Sequence, residues 1–209
     1  PDGLPYGAEL LGGLTLSSEA LQRLALEHLS VRLDSLKAGG FASRQKCVAL
    51  AAVLSAVQLR TVWPRGSAIT WAEIEPRIRL DDDIHFPDTG LIALENAVWD
   101  GTVQPLEEMV EIHANARRLG IPVHLDGARI FNAAASLGVP AAAIACLADS
   151  VMFCLSKGLA APVGSMVVGD AGFIHRARKM RKLMGGGMRQ AGIIAAAGIV
   201  ALTEMVPRL

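Results

Sequence analysis

The amino-acid sequence predicts an α/β fold, with a mainly parallel sheet flanked by helices. Short apolar runs of strand length alternate with helical segments from about residue 91 onwards, which is typical of a parallel sheet covered on both faces. Apolar residues make up 52% of the chain and aromatic residues only 4%. Ala, Leu, Val and Ile carry the apolar content, and these aliphatic side chains suit layers of helices and strands with many small packing contacts.

The first 46 residues form a divergent N-terminal segment with little recognisable pattern. Their apolar spacing predicts one helix, roughly Ser17 to Lys37, which ends before a Gly-Gly pair. We find no chemistry in this segment. The remaining residues, 47–209, are predicted to form a separate domain.

The start of the second domain is only partly predictable. Residues 48–62 fit either a strand or a buried helix. Trp71 to Leu80 is predicted to be a short helix, because Thr70 is a suitable N-cap and Glu73 follows three residues later as in a capping box.

The regular alternation begins after this helix. The segment PLEEMVEIHANARRL is amphipathic and stops at Gly120, as expected of a helix on the sheet surface. The four predicted strands are Leu91–Glu95, Ile121–Leu125, Val151–Leu155 and Gly164–Val168. The predicted helices are Pro105–Leu119, Ile130–Leu137, Phe173–Met184 and Gln190–Leu202.

Charge and cysteine content narrow the functional classes. Lys plus Arg and Asp plus Glu both number 20, so no net field attracts the chain to nucleic acid or to a membrane. A small-molecule partner is the better expectation. Three scattered cysteines do not make a disulfide framework, and no signal-peptide pattern is present, so the expected location is cytoplasmic.

Chemically informative residues follow two neighbouring strands. His124, Asp126 and Arg129 lie at the end of one strand, and Ser156 and Lys157 follow the next. One strand-helix-strand crossover separates Asp126 from Lys157, so both should reach the ligand-binding edge of the sheet. Pyridoxal phosphate uses such a pair, because a carboxylate keeps its pyridine nitrogen protonated while a lysine holds its aldehyde carbon as a Schiff base.

Judged from spacing alone, an ordinary structural role for Asp126 and Lys157 is about as well supported as a cofactor-binding role. An Asp after a strand is often the N-cap of the next helix, and a lone Lys is usually a solvated charge. The surroundings of Lys157 favour the functional interpretation. It lies between an apolar strand and the segment GLAAPVG, where we expect burial and a lowered amine pKa.

Several segments resemble one family. They are DIHFPDTGLIALEN, PLEEM, HLDGARIFNAAASLGV, SVMFCLSKGLAAPVGSMVVG and RKMRKLMGGGMRQAGIIAAAGIVAL. Together they resemble the threonine aldolase family, within the aromatic amino acid beta-eliminating lyase and threonine aldolase group of pyridoxal-phosphate enzymes with the aspartate aminotransferase fold. The resemblance runs from about Asp83 to Glu204 and implies the large, cofactor-carrying domain of that fold.

The resemblance also implies residue roles. Lys157 would be the Schiff-base lysine, with Ser156 beside it, and Asp126 would pair with the pyridine nitrogen. Arg129 would lie near the cofactor's phenolic oxygen and the substrate carboxylate. His124 either supports Asp126 or is a core histidine bonded to backbone.

The glycine-rich segment 185–190 has two interpretations. Its backbone N–H groups and Arg189 suit a phosphate group or a neighbouring subunit's site. In the family this loop lies near a subunit interface, so a homo-oligomer is expected. A plain hinge between two helices is the alternative.

Three family features are not recognisable in the sequence. Residues 1–62 show neither the phosphate-binding Ser/Gly-Thr turn nor the ring-stacking histidine, and the chain ends at Leu209 before the small C-terminal domain. We therefore expect an incomplete large domain without the second substrate-binding arginine. No metal site is expected.

The function implied by the resemblance is retro-aldol cleavage of L-threonine or a related β-hydroxy amino acid to glycine and an aldehyde. Two alternatives remain open at this point. One is a beta-eliminating lyase that acts on other amino acids. The other is a catalytically impaired remnant of the fold that acts at most as an association partner.

Overall fold

The computed structural model describes residues 58–209. The chain divides into two compact units, Pro1–Thr61 and Val62–Leu209, and the second contains the sheet. The predicted helix Ser17–Lys37, the expected domain boundary after residue 46 and most of segment 48–62 lie outside the described residues.

Four strands and six α-helices make up the described part of the second unit. The strands are β1 (Ile92–Glu95), β2 (Val123–Asp126), β3 (Ser150–Cys154) and β4 (Ser165–Gly169). The helices are α1 (Trp71–Ile74), α2 (Leu106–Arg118), α3 (Ile130–Leu137), α4 (Ala141–Ala145), α5 (Ala171–Leu183) and α6 (Gly192–Val200). A π-helical turn, Ala201–Met205, and a 3-10 turn, Val206–Arg208, follow α6.

The sheet is mixed and mainly parallel, which confirms the predicted fold class. Its strand order is β1-β2-β3-β4. The first three strands are parallel, and β4 runs antiparallel to β3. A helical crossover returns the chain before β2 and again before β3, whereas only the short segment 155–164 joins β3 to β4. A connection without a helix lets the chain reverse directly, so β4 is antiparallel.

The structure also corrects two details of the helices. The helix after Thr70 is shorter than predicted. It ends in the 3-10 turn Glu75–Arg77, which contains Pro76, and the backbone becomes extended at Ile78. Its start is as predicted: Glu73 Oε2 accepts a hydrogen bond from Thr70 N at 3.0 Å. Helix α4 was not predicted, since its five residues are too few for a periodic signal.

In β1 and β2 only one face is buried within residues 58–209, contrary to the expectation of two covered faces, and every residue of β4 is exposed. Ile92, Leu94, Val123 and Leu125 pack into the core. The other face, here called the open face, carries Ala93, Glu95, His124 and Asp126, which alternate with them. Because Glu95, His124 and Asp126 occupy alternate positions, β1 and β2 are not apolar on both faces.

A pair of buried amides anchors the end of β1. The Asn96 side chain accepts a hydrogen bond from Gln104 N and donates one to Gln104 O, both at 3.1 Å. The Gln104 side chain in turn bonds both backbone groups of Ile69. Asn96 N donates to Asp126 O at 3.0 Å. Glu95 immediately precedes Asn96, so these hydrogen bonds fix the position of Glu95 beside β2.

The described residues lack two kinds of feature. None of their helices is both long and apolar enough to cross a membrane. No group of three or more His, Cys, Asp or Glu side chains among residues 58–209 is placed to hold a metal ion.

Candidate active site

The carboxyl ends of three parallel strands bring charged residues together. Glu95 ends β1 and is the register partner of Asp126, which ends β2. Asp126 pairs in turn with Met152 of β3, and Lys157 follows that strand. The pKa of Glu95 responds to the charges of Asp126, Arg129 and Lys157. Each of these four residues, here called the charge cluster, ends a parallel strand or follows one within three residues, so the four lie at one edge of the sheet.

The turn after β2 holds Asp126 by close backbone contacts. Its Oδ1 accepts a hydrogen bond from Ala128 N at 3.0 Å, and Gly127 N donates to Met152 O at 2.8 Å. A Cβ atom at Gly127 would lie 3.0 Å from Met152 O and 3.1 Å from Ile130 Cβ. These distances are tighter than ordinary van der Waals contacts, so β3 or the start of α3 would have to shift slightly to accept a side chain at this position.

We expect Gly127→Ala to destabilise the protein by about 1–3 kcal/mol, because the added methyl group would push against backbone rather than a flexible side chain. The same change should displace Asp126. Thermal unfolding measures the effect, and Gly90→Ala is the matched control, since no atom lies within 4 Å of a Cβ at Gly90. Equal melting temperatures for the two variants would contradict this close packing.

Lys157 is carried by a short loop fastened at both ends. Leu155 N donates to Gly164 O at 2.9 Å and Ala161 N donates to Leu155 O at 3.0 Å. Leu155 and Leu159 are buried with Ala201 in a small apolar cluster. The Lys157 side chain is exposed, so the expectation that it lacks a solvent face is wrong. The flanking leucines take the buried positions, and the chain turns Lys157 outward between them.

The sequence resemblance implies that Glu95, together with Asn96, shapes the pocket, but it assigns no role to the Glu95 charge. Glu95 is half-buried, and burial together with the Asp126 charge raises its pKa above the ordinary value. Arg129 and Lys157 act in the opposite direction and lower the pKa. The available signal was its place at the end of an apolar run, one strand before Asp126.

His124 and Arg189 lie in different surroundings. His124 Nδ1 is 2.8 Å from Ser150 Oγ, so the partner of this ring nitrogen is a side-chain hydroxyl and not the backbone. The ring lies on the open face two residues before Asp126. Arg189 lies in segment 185–190, whose residues are all exposed. Its contact with a phosphate group remains a prediction.

The charge cluster combines an exposed primary amine, a guanidinium and two carboxylates. Such a set can hold an anionic ligand through Arg129 and place a positively charged ring nitrogen against Asp126. Lys157 supplies a nucleophilic nitrogen that can bond a carbonyl carbon. Helix α6 supports this edge, because a Cβ at buried Gly198 would lie 3.1 Å from Leu155 Cδ1.

Several proteins with similar sequences are described as threonine aldolases. The chain is 50% identical over 128 residues to the low specificity L-threonine aldolase of Escherichia coli K12, with 61% of this chain and 38% of that protein covered. It is 49% identical over 126 residues to low-specificity L-threonine aldolase 1 of Arabidopsis thaliana, with 59% and 35% covered. The chain thus spans little more than a third of the length of these relatives.

A solved structure has a similar fold. It is a protein from Exiguobacterium sp. 255-15 assigned to the aromatic amino acid beta-eliminating lyase/threonine aldolase group, with a TM-score of 0.62 and 25% identity. The match covers 89% of this chain and 52% of that one. The fold predicted from the sequence resemblance is therefore confirmed.

The beta-eliminating lyase family model matches residues 41–209, which is most of the chain and includes every member of the charge cluster. The chain belongs to the beta-eliminating lyase family.

Proposed function

We propose that this chain is the cofactor-binding part of a pyridoxal-phosphate-dependent lyase of the threonine aldolase type. The reaction would cleave the Cα–Cβ bond of L-threonine or a related β-hydroxy amino acid to glycine and an aldehyde. The observation that carries the proposal is the charge cluster, which gathers Lys157, Asp126 and Arg129 at the carboxyl edge of a parallel sheet. Ligands of such sheets bind at this edge.

The chemistry of these residues fits the cofactor. When bound, pyridoxal phosphate supplies an electron sink for the electrons released from a breaking bond at Cα. Lys157 would hold it covalently, and its exposed amine is accessible to an aldehyde. Asp126 would keep a proton on the ring nitrogen. Its Oδ1 is already oriented by Ala128 N, so the carboxylate does not need to reorganise when the ring binds.

Other residues would complete the binding site. Arg129 would face the substrate carboxylate and the phenolic oxygen, since a guanidinium can donate two parallel hydrogen bonds. Ser156, His124 and Arg189 would be further cofactor contacts. Among these, His124 is already oriented by Ser150.

The relatives support the choice of substrate. The E. coli and Arabidopsis proteins are described as low-specificity L-threonine aldolases, and we extend that substrate class to this chain. A homo-oligomeric assembly and a cytoplasmic location belong to the same proposal.

Beta-elimination is the second candidate, favoured by the family match over residues 41–209. The two reactions differ in the bond broken at Cβ. Retro-aldol cleavage breaks Cα–Cβ and yields glycine, whereas beta-elimination expels the β-substituent and yields ammonia and a keto acid.

Product analysis tests the proposal. The 209-residue chain is incubated with pyridoxal phosphate and L-threonine, and then separately with L-serine and L-tyrosine. We expect glycine and acetaldehyde from threonine. Ammonia and a keto acid without glycine would instead establish beta-elimination. No product from any substrate, in a chain that also fails to bind the cofactor, would reject both.

A further inference from the structure

Glu95 occupies a position that the proposed catalytic roles do not use. It is the last residue of β1, on the open face, and its Cα partner in the neighbouring strand is Asp126. Asn96 fixes this position through its bonds to Gln104 and to Asp126 O. Glu95 and Asp126 are therefore held as neighbours at the strand ends by the strand register and by buried backbone and amide hydrogen bonds.

Such a pair is unfavourable unless cations are present. Like charges on adjacent strands repel, and Glu95 is also half-buried, which further disfavours its ionised form. Within residues 58–209, four charges act on Glu95: Asp126 from β2, Arg129 from the following turn, Lys157 from the loop after β3, and Asp100 from the loop after β1. The two cations offset the repulsion. A second carboxylate therefore makes this edge a site that favours positive charge.

We propose that Glu95 is a positioning residue that stabilises positive charge on the cofactor bound between Asp126 and Lys157. This inference rests on the proposed function. Asp126 would face the ring nitrogen directly, while Glu95 supplies a second negative charge from the adjacent strand. Protons on the ring and on the nitrogen of Lys157 are then retained to higher pH than with one carboxylate alone.

A spectroscopic titration tests this role without measuring turnover. The full 209-residue chain is loaded with pyridoxal phosphate, and the pH midpoint of its visible absorption band is measured for the unaltered chain and for Glu95→Gln. The amide keeps the shape and removes the charge. We expect the midpoint to fall by about 0.5 to 1 pH unit, the size of one unit charge acting several ångströms away in a partly solvated site.

Two variants separate this charge effect from general changes. Asp100→Asn removes the same charge from an exposed residue that acts least on Glu95, and its amide oxygen can still accept the bond from Thr102 N. It should move the midpoint much less. Glu95→Asp keeps the charge, so its pH midpoint should lie close to that of the unaltered chain.

Thermal unfolding of the cofactor-free chain gives a second readout. Because the folded-state pKa of Glu95 is raised, the folded state holds this proton more tightly than the unfolded state. The contribution of Glu95 to the free energy of unfolding is therefore lost as the pH rises from the ordinary pKa of a glutamate through the raised pKa of the folded state. Glu95→Gln should melt at the same or a higher temperature than the unaltered chain at neutral pH.

The outcomes are distinguishable. An unchanged midpoint in Glu95→Gln would overturn the inference, since it would mean that Glu95 is neutral or distant in the loaded site, while the proposed function would stand. A lower melting temperature at neutral pH would also overturn it by assigning Glu95 a structural role. If the unaltered chain never develops the band, both the cofactor site and the inference fail.

Discussion

Replacing Lys157 with alanine should abolish the visible absorption band formed with pyridoxal phosphate. Covalent attachment needs a primary amine at the carboxyl edge of the sheet. Lys157 follows β3 at that edge, and its charge lowers the pKa of Glu95. Alanine has only a methyl side chain, so there is no amine at this position to bond the aldehyde carbon. The effect should be complete, not graded. Absorption spectra of the loaded chain measure it directly.

Two other lysines provide the matched control. Lys179 and Lys182 lie exposed on α5, among the basic residues Arg176, Arg178 and Arg181. Their replacement by alanine should leave the band unchanged. Borohydride reduction followed by peptide mass spectrometry should locate the modified residue at Lys157. A band that persists in Lys157→Ala and disappears in the α5 variants would show that the cofactor assignment is wrong.

Replacing Asp126 should leave the cofactor attached but remove most of the lyase rate. An unprotonated pyridine is a weak electron sink, so electrons released from the substrate would have no stabilised place to go. We expect a loss of about 100-fold or more in kcat, comparable to the removal of one strong electrostatic partner of a reacting group. Glycine formation from L-threonine measures the rate.

Two substitutions distinguish charge from structure at this position. Asp126→Ala removes both the charge and the acceptor for Ala128 N, whereas Asp126→Asn keeps an oxygen that can accept that bond. Both should lose the rate to a similar extent. Full activity in Asp126→Asn with none in Asp126→Ala would indicate that the carboxylate acts only by holding the turn.

Local patterns predicted most of the fold. The apolar runs around Leu94, Leu125, Val151 and Val168 became the four strands, because each is short, branched or aliphatic and bounded by polar or glycine residues. Helix α2 was equally clear from its periodicity. Helix α4 was missed because its five residues carry too few turns to show a period.

The sequence by itself determined which chemical groups stand at the strand ends. Asp126 and Lys157 follow strands that a single crossover separates, and parallel strands end at the same edge of a sheet. That inference used only the order of strands and helices along the chain and the parallel direction of strands joined by a helical crossover. It needed no knowledge of any side-chain position, which is why both residues could be named in advance.

Only the tertiary structure decided how these groups interact. The register between β1 and β2 placed Glu95 beside Asp126, and packing of Leu155 and Leu159 into a small cluster turned Lys157 outward. The pKa of Glu95 depends on burial and on charges from three separate segments. Strand register, burial and electrostatic fields arise from residues far apart in the chain, so no local pattern encodes them.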